Sequence, residues 1–464
     1  MDNVTSVPQL QERVGRRLIF FPLPLQGHIS PMLQLANILH SKGFSITILH
    51  LKLNSPNPAN YPHFTFLPID DDGSFSEINE ASKTDLISLL TTLNAKCIDP
   101  FKQALVQLLA DASGDPAACL ISDAIFHFTN DVCKSLNLPR IVLRTGGVCS
   151  FLAFAAFPLL LQKGYLPVQD DRLEELVMEL PPLRIKDLPV IKTAYPEQLY
   201  ELVERMVQET KASSGLIWNS FEELEEMAIA KLQQEFEIPI FPIGPFHKHS
   251  SSASSSSSSL IAEDHSSISW LDKQEPNSVI YISFGSIAAI DEDEFLEVAW
   301  GLANSKHPFL WVVRPGLIHG AEWPEALPEG FLERMNGRGL IVKWAPQLEV
   351  LAHPSVGVFW THNGWNSTLE SVCEGVPMIC TPCFTDQLVN ARYVSHVWNV
   401  GLHLENGLSR GKIEMAIKML MEEREGVKVR ARALHYKEMA NLCLKPGGSS
   451  YDSLNKLVNY ISFF

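Results

Sequence analysis

The sequence predicts an α/β protein made of two doubly wound, parallel-sheet units. Three observations carry this prediction. From Arg17 onward, short apolar runs alternate with helical stretches, the pattern of βαβ units. A run of serines and one alanine, Ser250–Ser259, then interrupts the pattern. Beyond it the same alternation restarts and continues to Trp398.

In chain order, "RLIFFPLPL" (residues 17–25) reads as the first strand, an unbroken apolar run of the kind buried on both faces of a sheet. "GHISPMLQLANILHSKG" follows, with Ile29, Met32, Leu33, Ala36 and Leu39 at helical spacing and Gly43 as the stop. "FSITILHL" is the next strand, and "ACLISDA" (Ala118–Ala124) is another. "FTNDVCKSLNLP" reads as a helix and "RIVLRTG" as a strand. The serine run cannot pack a core and reads as a flexible surface linker. After it, "SVIYISFGS" is a strand, "DEDEFLEVAWGLANSK" a helix, and "PFLWVVRP" and "GLIVKWAP" strands. "QLEVLAHP" is a helix, "VGVFWTH" a strand, "NSTLESVCEG" a helix, "VPMICTP" a strand and "DQLVNARYVSHVW" a helix. A chain of 464 residues is too long for one ordinary core. The expected division is a first unit over 1–245, a linker over 246–267 and a second unit over 268–440. A terminal helix over 441–464 is expected to pack back on the first unit.

The chain is 46% apolar and 19% charged, with a net charge of −16. An acidic surface argues against nucleic acid or anionic membranes as partners. Any phosphate must therefore be held locally, by backbone and dipoles. "MDNVTSVPQLQERVGRR" has no apolar signal region, and the longest apolar stretch, "FLAFAAFPLLL" (Phe151–Leu161), contains proline and falls short of the ~20 residues that span a bilayer. A cytoplasmic, non-spanning protein is expected, with its eight scattered cysteines reduced. Cys380 and Cys383 lack the second pair that a zinc site needs.

In open parallel sheets ligands bind at the carboxyl ends of the strands. Those ends hold Gln26-Gly27-His28, Asp123 and Thr145 in the first half. In the second half they hold Gly285-Ser286, Trp344, His362 and Asp386-Gln387. In "FWTHNGWNSTLE" (Phe359–Glu370), Gly364 permits a tight turn and close approach, and the next helix offers free N–H groups and a dipole that favours phosphate. His362, Asn366 and Ser367 add donors. Glu370, one turn on, suits a pair of ribose hydroxyls. Trp344 offers a flat face for a base and Gln347 a group to read its edge. Singly, Asn366 and Ser367 read as helix caps and the tryptophans as core; jointly, at these spacings, they read as a nucleotide site. No GxGxxG precedes a helix, which speaks against an NAD(P) oxidoreductase, and no GxSxG elbow supports a serine hydrolase.

The stretch Trp344–Gln387, "WAPQLEVLAHPSVGVFWTHNGWNSTLESVCEGVPMICTPCFTDQ", resembles the signature box of plant UDP-dependent glycosyltransferases. So do "PLQGHISPMLQLA", "SSGLIWNSFEELE" and "VIYISFGS", so the resemblance runs nearly the full chain. "FPLPLQGHISPMLQLANILHSKGFSITILH" and "LNSPNPANYPHFTF" are similar to the steviol and cytokinin glucosyltransferase branch. The resemblance implies the GT-B arrangement, two Rossmann-like domains facing across a cleft. It implies that Trp344 stacks on uracil while Ala345 and Gln347 read its edge, and that Glu370 holds the ribose. His362, Asn366, Ser367 and Ser286 would hold the diphosphate; Trp365, Asp386, Gln387 and, from the other domain, Thr145 would meet the sugar. Gln387 favours UDP-glucose as co-substrate, with no cofactor and no metal. The departure "TGGVCS" after the first domain's strand, where the family often has Thr-Ser-Ser, points to a widened acceptor side or a looser Thr145.

An alcohol becomes a competent nucleophile when its proton is removed as it attacks, and histidine suits that task. His28 follows a strand and a glycine; Asp123, at another strand end, can orient its ring. A helix-start residue and an N-cap are the plain readings of the two. The resemblance favours a general base and its partner, with direct attack on the anomeric carbon, inversion and a β-glucoside product. The acidic stretches Asp70–Asp72 and Asp291–Glu294 match the metal-binding Asp-x-Asp pattern only trivially and read as a loop and a helix start. The acceptor, expected to be a small lipophilic hydroxyl or carboxylate compound, would meet "FHFTNDV", "CSFLAFAAFPLLL" and "LPPLRIKDLPV". A monomer is expected.

Overall fold

The computed structural model describes residues 15–69, 85–249, 259–318 and 327–464. The acidic stretch Asp70–Asp72 and residues 250–258 of the serine run lie outside these. The first domain holds a seven-stranded parallel sheet in the order β3-β2-β1-β4-β5-β6-β7. Its strands are β1 (Arg17–Phe21), β2 (Ser45–His50), β3 (Thr65–Pro68), β4 (Ala117–Asp123), β5 (Arg140–Arg144), β6 (Gly215–Trp218) and β7 (Ile240–Pro242). The second domain holds six, in the order β10-β9-β8-β11-β12-β13. These are β8 (Val279–Ser283), β9 (Phe309–Val312), β10 (Gly339–Val342), β11 (Val356–Thr361), β12 (Met378–Cys380) and β13 (Gly401–His403). Every pairing is parallel and apolar layers pack on both faces, as the buried runs predict.

This order places a topological switch point in each sheet, where successive connections run in opposite directions. In the first it lies between β1 and β4, in the second between β8 and β11. Ligands bind in the crevice at such points. The segments leaving those strands carry His28, Asp123, Gly285-Ser286 and His362.

The Asp291–Glu294 stretch starts the helix Glu292–Ser305: Asp291 and Glu294 form a reciprocal capping box. The terminal helix Ser449–Ser462 buries Leu454, Leu457 and Ile461 among first-domain residues such as Leu18, Phe44 and Phe241. All eight cysteines are free thiols, and only Cys383 is exposed. Among the described residues, no helix is long and apolar enough to cross a membrane.

The domains are tied directly. Ser150 Oγ donates to Asn390 Oδ1 at 3.0 Å, and Trp398 Nε1 donates to the Leu224 carbonyl at 3.0 Å. At the far rim, Arg184 and Lys186 converge on Glu405 at 2.6 and 2.8 Å. This accounts for the segment "LPPLRIKDLPV": it makes an interdomain ion cluster and does not line the cleft.

Candidate active site

Four residues separate β1 from the helix Gln26–His40, which carries Pro31 in its second turn. A proline has no N–H, so the carbonyl four residues earlier loses its helical partner. That carbonyl belongs to Gly27, and Asn366 of the second domain donates its side-chain amide to it at 2.8 Å. The turn that presents His28 is thus fastened across the cleft.

His28 Nδ1 lies 2.7 Å from Asp123 Oδ2 and 3.0 Å from Thr145 Oγ1. Asp123 is 1% exposed, and its other oxygen accepts from the Ile125 N–H at 2.9 Å. An ionised carboxylate only accepts, so Nδ1 carries the ring proton and Nε2 the lone pair. Among the described residues nothing hydrogen-bonds Nε2. Thr145 thus sits against the histidine, at the cleft surface.

Opposite, His362 leaves β11 between two glycines. A Cβ on Gly285 would fall 2.4 Å from His362 Nε2, and one on Gly364 would fall 2.6 Å from it. Gly364 therefore clears space for the neighbouring imidazole, beyond any ligand approach. Burial pulls the His362 pKa down to about 4, so the ring is a neutral donor at physiological pH. Arg314, just beyond β9, locks the adjoining loop: Nε donates to the Gly285 carbonyl at 2.8 Å and Nη2 to that of Ala288. Sequence reasoning passed over Arg314, although a charge closing the apolar run "PFLWVVRP" was the available signal.

The helix Trp365–Glu374 starts at Gly364 with no side-chain cap, so the capping reading of Asn366 and Ser367 does not hold. Asn366 reaches Gly27, and Ser367 Oγ accepts from Gln347 Nε2 at 3.0 Å. Gln347 also donates to Glu370 Oε2 at 2.7 Å and accepts from the Tyr281 hydroxyl at 3.2 Å. Burial pushes the Glu370 pKa up to about 7, against the Gln347 hydrogen bond. The Trp365 indole donates to the Asn219 carbonyl at 2.8 Å and lies where a Cβ on Gly147 would fall, 2.8 Å from its ring. The space left by Gly147 is therefore filled by tryptophan, and any sugar contact from Trp365 falls to its backbone.

After β12, Thr385 adopts φ +53°, a costly conformation for a β-branched residue. Its N–H is held by the Val190 carbonyl at 2.9 Å, and its hydroxyl donates to Asp386 at 3.1 Å. Burial raises the Asp386 pKa, opposed by Thr385 and Asn390. Gln387 commits its oxygen to the N–H groups of Cys383 and Phe384, which leaves its NH2 as the half free to donate to a ligand.

One cavity of about 870 Å³ joins these groups. It is lined by His28, Asp123 and Thr145 from the first domain, and by Ser286, Trp344, Ala345, Gln347, His362, Trp365, Asn366, Ser367, Glu370, Asp386 and Gln387 from the second. Its first-domain end is apolar, with Leu86, Ile87 and Leu90, then Phe154, then Leu199, Leu202, Val203 and Met206. Those last four come from the helix Pro196–Lys211, which the sequence reading passed over despite their one-face spacing. Residues 126–132 do not line it.

A family model described as "UDP-glucoronosyl and UDP-glucosyl transferase" matches residues 74–435, most of the chain. The chain belongs to this UDP-glycosyltransferase family. UDP-glycosyltransferase 76B1 of Arabidopsis thaliana is 52% identical to it over 98% of this chain and 100% of that protein. UDP-glycosyltransferase 76G1 of Stevia rebaudiana is 49% identical, over 97% and 98%. Among solved structures, UGT71G1 of Medicago truncatula, complexed with UDP-glucose, superposes with a TM-score of 0.79 at 26% identity, covering 98% of this chain and all of that one. UGT2 of Phytolacca americana, complexed with UDP-2-fluoro-glucose and pterostilbene, gives 0.79 at 28% identity, covering 96% and 98%. The protein is therefore a glycosyltransferase of GT-B fold that uses a UDP-sugar donor, and its cleft is the interdomain cleft of that fold.

Proposed function

We propose that this UDP-glycosyltransferase moves glucose from UDP-glucose to a hydroxyl of a small lipophilic plant metabolite, with inversion. Carboxylate acceptors, giving glucose esters, are the second form of the same reaction. The observation that carries the reading is the 2.7 Å His28–Asp123 pair on a histidine that lines the cavity, which leaves Nε2 as the basic nitrogen. The acceptor oxygen attacks the anomeric carbon, its proton passes to Nε2, and the bond to UDP breaks on the opposite face. An α-linked donor thus yields a β-glucoside. Asp123 fixes the tautomer and stabilises the imidazolium. The diphosphate charge is met by the first N–H groups of Trp365–Glu374, by neutral His362 and by Ser286 and Ser367. Trp344 takes the uracil with Ala345 and Gln347, Glu370 the ribose, and Asp386, Gln387 and Thr145 the sugar. The relatives' complexes with UDP-glucose and with a stilbene support a hexose donor and an aromatic acceptor. The test is a screen of UDP-sugars against phenols, terpenoid alcohols and acids, read by mass spectrometry with linkage by NMR. Transfer from UDP-glucose giving a β-linkage supports the reading; an α-linked product or no transfer from any UDP-sugar overturns it.

No metal enters this mechanism, since dipoles and neutral donors do its work. Activity is expected to survive EDTA unchanged; a loss restored by Mg²⁺ or Mn²⁺ contradicts this. The free thiols support a cytoplasmic enzyme, and a monomer of 51.8 kDa is the expected mass by light scattering.

Glu370 gives donor binding a pH dependence. As a carboxylate it accepts from the ribose hydroxyls; below its pKa of about 7 it is protonated and that role is lost. UDP-glucose has no group titrating near neutrality, so its affinity is expected to be about tenfold weaker at pH 6 than at pH 8. Calorimetry checks this: Glu370→Gln should bind weakly with a flat profile, and a flat profile in the wild type removes Glu370 from the ribose site.

A further inference from the structure

The helix Asp386–Arg392 begins with the two second-domain side chains proposed to meet the sugar, yet its own domain does not hold it alone. A first-domain segment, residues 182–190, grips it at both ends. At the start, the Thr385 N–H donates to the Val190 carbonyl at 2.9 Å. At the end, the buried Arg392 donates from Nε to the Pro182 carbonyl at 3.0 Å and lies 3.5 Å from Asp187 Oδ2. Between these ties, Asn390 Oδ1 accepts from first-domain Ser150 at 3.0 Å, while Nδ2 donates to Asp386 Oδ2 at 3.2 Å. The gripping segment is itself braced. Arg184 forks onto Asp187 through Nε and Nη2 at 2.9 and 3.0 Å, and its backbone N–H donates to the same carboxylate at 2.9 Å. Glu405, two residues past β13, then draws Arg184 and Lys186 onto the second domain.

What the grip holds is strained. Thr385 sits at φ +53° and ψ −134°, a combination that only glycine adopts readily. A β-branched residue stays there only where its surroundings over-determine it. Once released, Thr385 would relax and disturb both sugar-facing groups. Its hydroxyl donates to Asp386, and the turn it shapes aims the Cys383 and Phe384 N–H groups at Gln387. Residues 182–190 do not line the cavity, so they act on a donor only through this helix. We infer that Arg392 is a positioning residue for the donor sugar. By tying its helix to the first domain, it keeps Asp386 and Gln387 in the geometry that meets the hexose. The nucleotide half of the donor faces other elements, Trp344 to Glu370, and is indifferent to the tie. This rests on the proposed sugar role of Asp386 and Gln387 and deepens it.

The test measures Kd for UDP and for UDP-glucose by calorimetry in the wild type and three variants. The ratio of the UDP-glucose Kd to the UDP Kd should rise about tenfold in Arg392→Met, the scale of a charged hydrogen bond, with UDP itself within about twofold of the wild type. Arg392→Lys keeps a charge facing Asp187 and should recover part of the ratio. Coupling is reciprocal, so a bound sugar must steady the segment as the segment steadies the sugar site. In the wild type, the backbone amides of residues 183–188 should therefore exchange hydrogen more slowly with UDP-glucose than with UDP. Equal weakening of both ligands in Arg392→Met, an unchanged ratio, or equal exchange under the two ligands overturns the assignment. The exchange comparison decides even if Arg392→Met fails to fold. Asp386→Ala separates this inference from the reading beneath it. A ratio raised in Asp386→Ala but not in Arg392→Met defeats the inference alone; a ratio unchanged in both defeats the sugar role of Asp386 as well.

Discussion

His28→Ala is expected to lower kcat by about 10³-fold, within the 10²–10⁴ range of a positioned general base. UDP-glucose affinity should stay near that of the wild type, because the proposed nucleotide site lies in the opposite domain. Asp123→Asn should cost a comparable factor, for a different reason. Its amide can donate to Nδ1, which would move the ring proton to Nε2 and leave no lone pair facing the acceptor. Initial rates at saturating donor and acceptor, with calorimetry of UDP-glucose, separate the two quantities. If His28→Ala retains near-wild-type kcat, another group removes the proton.

The second large effect is expected from Gly285→Ala. The residue has φ +73°, and its Cβ would lie 2.4 Å from His362 Nε2. The backbone strain is about 1–2 kcal/mol and the overpacking about 1–3 kcal/mol. The ring must move, and with it the donor proposed to meet the diphosphate. The variant should melt at a lower temperature and show a KM for UDP-glucose raised at least about tenfold. Adding His362→Ala should recover part of the stability but none of the affinity, since the collision disappears together with the donor. An unshifted melting temperature in Gly285→Ala would mean that the ring has room elsewhere.

How much of this the sequence discloses depends on what each residue answers to. The interior strands were legible because burial on both faces forces continuous apolar runs such as "RLIFF" and "VIYIS". β3, β6, β7 and β13 were not: they have three or four residues each, and β3 and β7 end in proline. The site was legible because strand ends in parallel sheets are reliable ligand positions, so His28, Asp123 and His362 could be gathered without knowing the strand order. Roles set by contacts between distant segments were hidden. Nothing local says that Gly147 makes room for Trp365, that Pro31 frees a carbonyl for Asn366, or that Arg392 ties its helix to the first domain.

The proposed reaction requires the acceptor oxygen to lie beside His28 when the donor is bound. A crystal structure of the enzyme with a non-transferable UDP-glucose analogue and an acceptor measures this directly. The predicted result places the diphosphate on the start of the helix Trp365–Glu374 and the acceptor hydroxyl within about 3.2 Å of His28 Nε2, on the face of the anomeric carbon opposite UDP. A nucleotide bound away from residues 362–370, or a hydroxyl turned from His28 toward a different base, would contradict it.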